Sequence, residues 1–133
     1  MFPVDIESLR LFLHVLAATI WVGGQVTLGA LVPVLRRAGA DVPRAAARQF
    51  GRLAWIAFAV LVATGIWNLA SYDETDRHGF AATISLKLVF VGMSGIAAVV
   101  HSNATSRLWL ALGGAGAALF SLAALFLGVV LGQ

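Results

Sequence analysis

The chain contains no cysteine. That absence excludes disulfides, thiolate metal sites, iron–sulfur clusters and thiol nucleophiles, and it leaves the redox compartment unread. Charge is nearly as scarce. Only 11% of the 133 residues are Asp, Glu, Lys or Arg, against about a quarter in a soluble domain. There is a single lysine, Lys87, and there are two methionines, Met1 and Met93. Neither a GxSxG nucleophile elbow nor a GxxxxGK[ST] phosphate loop occurs. The glycines at 113, 114 and 116 lie inside an apolar run rather than after a strand, so hydrolase and phosphate-loop readings fail.

What is abundant is apolar. The chain is 60% hydrophobic with a mean hydropathy of +0.92, and its charge gathers in three short stretches. Such a composition marks an integral membrane protein forming one compact unit. The net charge of +3 would suggest nucleic acid in a soluble protein. Here the arginines flank apolar spans, the positive-inside pattern accounts for them, and no nucleic-acid partner is expected. Asp5 and Glu7 sit where a signal peptide would carry positive charge, and the following apolar run is too long for its core. The N-terminal segment therefore reads as a retained first span.

Windows of roughly 20 apolar residues pick out four spans. They run from about 8 to 32, 52 to 71, 81 to 101 and 108 to 131. Pro33 with Arg36 and Arg37 is expected to stop the first, leaving 33–51 as a basic connection. Asp41 followed by Pro43 reads as a helix start within it. The connection at 72–80 is acidic, with His78 solvated, and 102–107 forms a tight turn around Asn103. Short connections force antiparallel neighbours. The expected fold is thus all-α, a four-helix up-down bundle in one domain over 1–133. Arginine bias places 33–51 in the cytoplasm and the N-terminus outside. Ala124, Gly128 and Gly132 at four-residue spacing, with Gly113, Gly114 and Gly116, suggest close helix approach.

Polar residues inside the spans carry the functional signal. His14, Trp21 and Gln25 recur at seven and four residues, so on an α-helix they share a face, with Glu7 and Arg10 upstream. A histidine at that depth is costly, and it pairs, ligates or lines a pathway. In the third span Lys87, Val91, Ser94, Ala98 and His101 share a face. Lys87 either snorkels or points into the bundle. His101 lies about 20 Å from Lys87 along the axis, and it reads as an interfacial cap before it reads as a ligand. His14 and His101 would then not clamp one haem from both sides, while Met93 stays open as a second ligand if the helices tilt. In the second span Thr64, Asn68 and Ser71 form a weaker polar edge able to satisfy neighbouring groups, and Thr64 with Gly65 also reads as a packing notch. Trp55, Trp67 and Trp109 fit an aromatic belt. Trp21 lies deeper and either walls a flat cofactor or packs.

The HVLAATIWVGG stretch carrying His14, Trp21, Gly23 and Gly24 resembles the first helix of the copper resistance protein D (CopD-like) superfamily. The likeness extends to Thr64 and Gly65, to Lys87 early in the third span, to the turn at Asn103 and to the glycine-rich fourth span. It is similar, more distantly, to the four-helix haem-binding protoporphyrinogen oxidase family. That family's Leu-Pro-Arg stretch after the tryptophan is replaced here by VGGQVTLGALVP.

The resemblance implies a bacterial cytoplasmic membrane and two roles for the stripe. In the first, b-type haem serves electron transfer or redox chemistry. His14 is its axial ligand, Trp21 flanks the macrocycle, Gln25 and Ser94 line the site, and Lys87 meets a propionate or carries protons. In the second, His14 and Met93 handle copper. Cuprous copper prefers sulfur ligands, of which this chain has few, so haem ranks first. A third reading is a cofactor-free accessory subunit of a larger membrane complex, or a homo-oligomer, whose apolar faces meet partners as well as the lipid bilayer.

Overall fold

A computed structural model describes residues 4–71 and 79–132. Among them there is no strand. The elements are α1 (Ile6–Ala18), one turn of π-helix (Thr19–Gly23), α2 (Gly24–Ala38), α3 (Val42–Ala70), α4 (Phe80–Asn103) and α5 (Arg107–Leu131). The first three form one continuous rod. Four helical segments, Ile6–Ala38, Val42–Ala70, Phe80–Asn103 and Arg107–Leu131, are long and apolar enough to cross a membrane. The chain divides into two compact units, Met1–Glu74 and Thr75–Gln133. His78 and most of the acidic connection lie outside the described residues.

The helix ends follow local chemistry. At the start of α1 the Asp5 carboxylate accepts from the Ser8 backbone N–H at 2.8 Å and from its hydroxyl at 2.7 Å, filling donors that a first turn leaves unpaired. At α5 the Ser106 hydroxyl accepts from Trp109 N–H at 3.3 Å. Gly79 precedes α4 with φ +91°, a left-handed conformation in which a side chain would be strained.

Two expectations about the first connection need correcting. Pro33 does not stop the first span; it lies inside α2, which continues to Ala38. Proline removes one backbone bond, and long membrane helices tolerate that loss. The connection over 33–51 shrinks accordingly to 39–41, with α3 starting at Val42 and Pro43 in its first turn, as the sequence suggested. Asp41 stands at the N-cap without a side-chain cap bond, because its backbone is already helical at φ −93°, ψ −11°.

In the first unit the rod pairs with α3 antiparallel. Contacts step in opposite directions along the two helices: His14 to Thr64, Trp21 to Phe58 and Trp55, Gly24 to Phe50. In the second, α4 and α5 pair the same way: Lys87 to Gly128, Phe90 to Phe120, Ser94 to Ala117, His101 to Leu110. Among the described residues the buried ones other than Trp21 and Val22 are small: Ala17, Ala54, Ala57, Thr64, Ser94, Gly95, Gly113, Ala117, Ser121 and Ala124. Large apolar side chains point outward, Phe126 being 66% exposed. This inversion of a soluble core is what lipid selects. Tails solvate Leu and Phe as well as another helix would, so helices pair through small residues that let backbones approach.

The small-residue run of α5 behaves in that way over part of its expected length. Ala124 is buried and Gly128 lies under the Lys87 side chain, but Gly132 is exposed. The tightest approach lies nearer the start of the helix. There a Cβ on Gly113 would come within 2.6 Å of the His101 backbone nitrogen.

Candidate functional site

His14 sits on the inner face of α1, half-buried, between Arg10 one turn before it and buried Ala17 after it. Its Nδ1 lies 2.8 Å from Thr64 Oγ1. The same Thr64 oxygen lies 2.7 Å from the Val60 carbonyl and 3.2 Å from the Leu61 carbonyl of its own helix. A carbonyl cannot donate, and a hydroxyl has one proton. That proton is therefore directed at the carbonyls, and Thr64 faces His14 with a lone pair. His14 therefore donates from Nδ1, and in the neutral ring Nε2 carries the lone pair. Thr64 is only 5% exposed, so water does not substitute for it. Gly65 lies beside the ring: a Cβ there would stand 3.5 Å from His14 Cε1, in ordinary van der Waals contact.

Two turns on, Trp21 is 3% exposed. Its ring lies 4.5 Å from Phe58 and 5.5 Å from Trp55, and Trp55 meets Phe58 edge-on at 5.6 Å. Trp55 thus belongs to this aromatic cluster as well as having exposed surface. Trp21 falls within the π turn. At the start of that turn Thr19 donates its hydroxyl to the Val15 carbonyl at 2.8 Å, a side-chain bond that competes with the helical ladder. Gly24 sits against Phe50, whose ring a Cβ would strike. A π turn holds about one more residue than an α turn, so α2 is out of phase with α1 by about 100°. The spacing that aligned Gln25 with His14 and Trp21 presumes an unbroken α-helix, and the π turn rotates Gln25 relative to that stripe. Gln25 is half-buried, and its Nε2 has no hydrogen-bond acceptor among the described residues. The same holds for Arg10 Nε.

The second unit holds the other expected residues. Ser94, 1% exposed, donates its hydroxyl to the Ala117 carbonyl of α5 at 3.0 Å. Lys87 is half-buried, with Nζ 3.1 Å from where a Gly128 Cβ would stand, so its stem crosses α5 where that helix has no side chain. Met93, next to Ser94 but rotated outward, is 39% exposed. His101 is more than a cap at its own helix end. Its Nδ1 lies 2.7 Å from the Leu110 carbonyl, which can only accept, so His101 also donates from Nδ1. Its ring rests on Gly114, and its backbone on Gly113. Among the described residues no three His, Cys, Asp or Glu side chains converge to hold a metal ion.

Thr64 was legible in sequence as a polar edge, though not as the partner that fixes the His14 tautomer. The aromatic partners of Trp21 and the π turn carried no periodic signal, because the stretch is apolar on every side. Compared with family models, curated proteins and solved structures, the chain matches none.

Proposed function

We propose that this is an integral membrane protein that binds b-type haem through His14 Nε2 and uses it in electron transfer or redox chemistry, alone or within a larger membrane complex. The observation that carries this reading is the His14–Thr64 bond. Metal-ligating histidines characteristically donate their other ring N–H to a fixed acceptor, which sets tautomer and ring orientation and raises ligand basicity. Thr64 does this from a buried position on a second helix.

The donor set fits haem better than a bare copper ion. Haem brings four nitrogens of its own and asks the protein for one or two axial ligands. A copper ion takes all its ligands from the protein, and no group of three or more His, Cys, Asp or Glu side chains converges among the described residues. When bound, haem supplies a one-electron couple tuned by its axial ligand and surroundings. The chain's own contribution would be positional. Thr64 holds the imidazole, Gly65 packs beside it, and the Trp21–Phe58–Trp55 cluster stiffens the helix pair. Arg10, one turn before His14, brings a buried N–H without an acceptor among the described residues, which a propionate would satisfy. This reading places the chain in a bacterial cytoplasmic membrane, with its arginine-rich end inside and its N-terminus outside.

The test is an absorption spectrum of detergent-purified protein, oxidised and dithionite-reduced, with iron and copper measured on the same sample. A Soret band with reduced α and β bands and iron near one per chain is expected, and His14→Ala should abolish it. A featureless spectrum without iron would remove the reading and leave a cofactor-free packing subunit. Copper without iron would transfer the site to copper handling.

A further inference from the structure

Five arginines gather at one end of the first unit. Arg36 and Arg37 occupy the last turn of α2, and Arg44, Arg48 and Arg52 recur every four residues along one face of α3. All five are exposed. Asp41 is the only acid between positions 8 and 72.

Helix length sets where this end lies. The 29 residues of α3 span about 43 Å and the 33 residues from Ile6 to Ala38 about 50 Å, whereas the hydrocarbon core is about 30 Å thick. The uncharged part of α3, residues 53–70, spans about 27 Å and nearly fills that core. Residues 42–52 then stand in the headgroup layer as a continuation of the spanning helix. Their inner face carries half-buried Ala46, Ala47 and Phe50, and their outer face carries the arginines. Guanidinium forks match phosphate oxygens two at a time.

We propose that this arginine face is a binding surface for the phosphodiester headgroups of anionic phospholipid. It clamps the helix pair to the headgroup layer, and it does so independently of any cofactor at His14. Each arginine near an anionic surface contributes about a fivefold gain in affinity, so removing three weakens binding about a hundredfold.

The experiment uses the full chain purified in neutral detergent. Native mass spectrometry counts retained lipid after addition of phosphatidylglycerol or phosphatidylcholine, and thermal unfolding is followed in parallel. The wild type should retain phosphatidylglycerol at least about tenfold over phosphatidylcholine, and should unfold at higher temperature with the former. The preference should collapse at high salt, a readout that needs no variant. The combined change Arg44→Gln, Arg48→Gln and Arg52→Gln should abolish it, while Arg107→Gln in α5 leaves it unchanged. Equal retention of the two lipids overturns the proposal, as does an unaffected triple variant. Equal protection by inorganic phosphate would reassign the surface to free phosphate, and preferential protection by polyglutamate to an acidic protein; either result overturns it as well.

Discussion

His14 and Thr64 lie 2.8 Å apart between Nδ1 and Oγ1, and the threonine's only proton is directed at the Val60 carbonyl behind it. The bond therefore runs from histidine to threonine. Thr64→Val keeps the shape and removes the acceptor. It should destabilise the first unit by about 1 kcal/mol, between the small mean for membrane hydrogen bonds and the larger cost of an unpaired buried donor. On the haem reading it should also weaken cofactor retention about 10–100-fold, while Thr64→Ser restores both. Haem content after gel filtration and thermal unfolding by circular dichroism give the two readouts. Full retention in Thr64→Val would show that the threonine does not orient a ligand.

Glycines of the second unit separate into those that pack and those that do not. A Cβ at Gly113 would lie 2.6 and 2.8 Å from the backbone N and Cα of His101, and backbone cannot swing aside. The helices must part, so Gly113→Ala should cost about 1–3 kcal/mol. Gly92 has nothing within 4 Å of its Cβ position, and Gly92→Ala should be neutral or slightly stabilising. Unfolding midpoints of the two variants, measured in one detergent, decide this. An equal loss in both would mean that α4 and α5 do not approach as closely as their glycines allow.

Trp21 is a large side chain buried between α3 and its partner rod, 4.5 Å from Phe58. In water a Trp→Ala truncation costs about 3–5 kcal/mol. In lipid part of that transfer term vanishes, since tails are as apolar as a core, and the lost packing remains. Trp21→Ala should therefore cost about 2–3 kcal/mol, and Trp21→Phe, which keeps the ring contacts, clearly less. Titration with a denaturing detergent measures both.

The sequence was most legible where lipid leaves a strong imprint. Four long apolar runs marked four helices, because a span needs its length and its near absence of charge. Asp41 and Pro43 marked the start of α3 through helix-start preferences. Pro33 misled because its usual effect is judged in water, where a broken helix can be solvated; in a long membrane helix continuing is less costly than stopping. The π turn was invisible, since its signal would be a phase shift in an apolar stripe and the surrounding residues are apolar in every phase. His14 stood out because a histidine in that setting is expensive. Its tautomer needed the structure, because it depends on the Val60 carbonyl, four residues before Thr64 and unreadable from side-chain pattern.

At the N-terminus of α1, hydrogen bonds from the Ser8 backbone and hydroxyl hold the Asp5 carboxyl below its ordinary value of 3.8. A depressed folded-state pKa means that the carboxylate's contribution to helix stability is fully present above the unfolded value. It is lost as pH falls through the lower folded one. Fraying of the first turn should therefore appear only in acid, below about 3.8. In Asp5→Asn, which still caps but does not titrate, the same step should be absent. Amide exchange at Ser8 and Leu9 across that pH range tests this. A step surviving in Asp5→Asn would show that the Asp5 carboxylate does not cause it.

Two buried serines in the second unit look alike by burial and differ in what they hold. Ser94 donates across to the Ala117 carbonyl of α5, whereas Ser121 donates to Ala118 on its own helix. Losing the first removes a link between helices; losing the second removes a bond that competes with the helical ladder. Ser94→Ala should therefore cost about 0.6–1.7 kcal/mol, the range of single hydrogen bonds between membrane helices. Ser121→Ala should be close to neutral, because alanine is the better helix former and its methyl fills nearly the same space. The comparison is informative because both changes delete one oxygen from a buried site, so any cavity term is shared and the difference reports the interhelical bond. Unfolding of both variants in the same detergent measures that difference. Equal destabilisation would mean that close backbone contact, and not the Ser94 bond, holds α4 to α5.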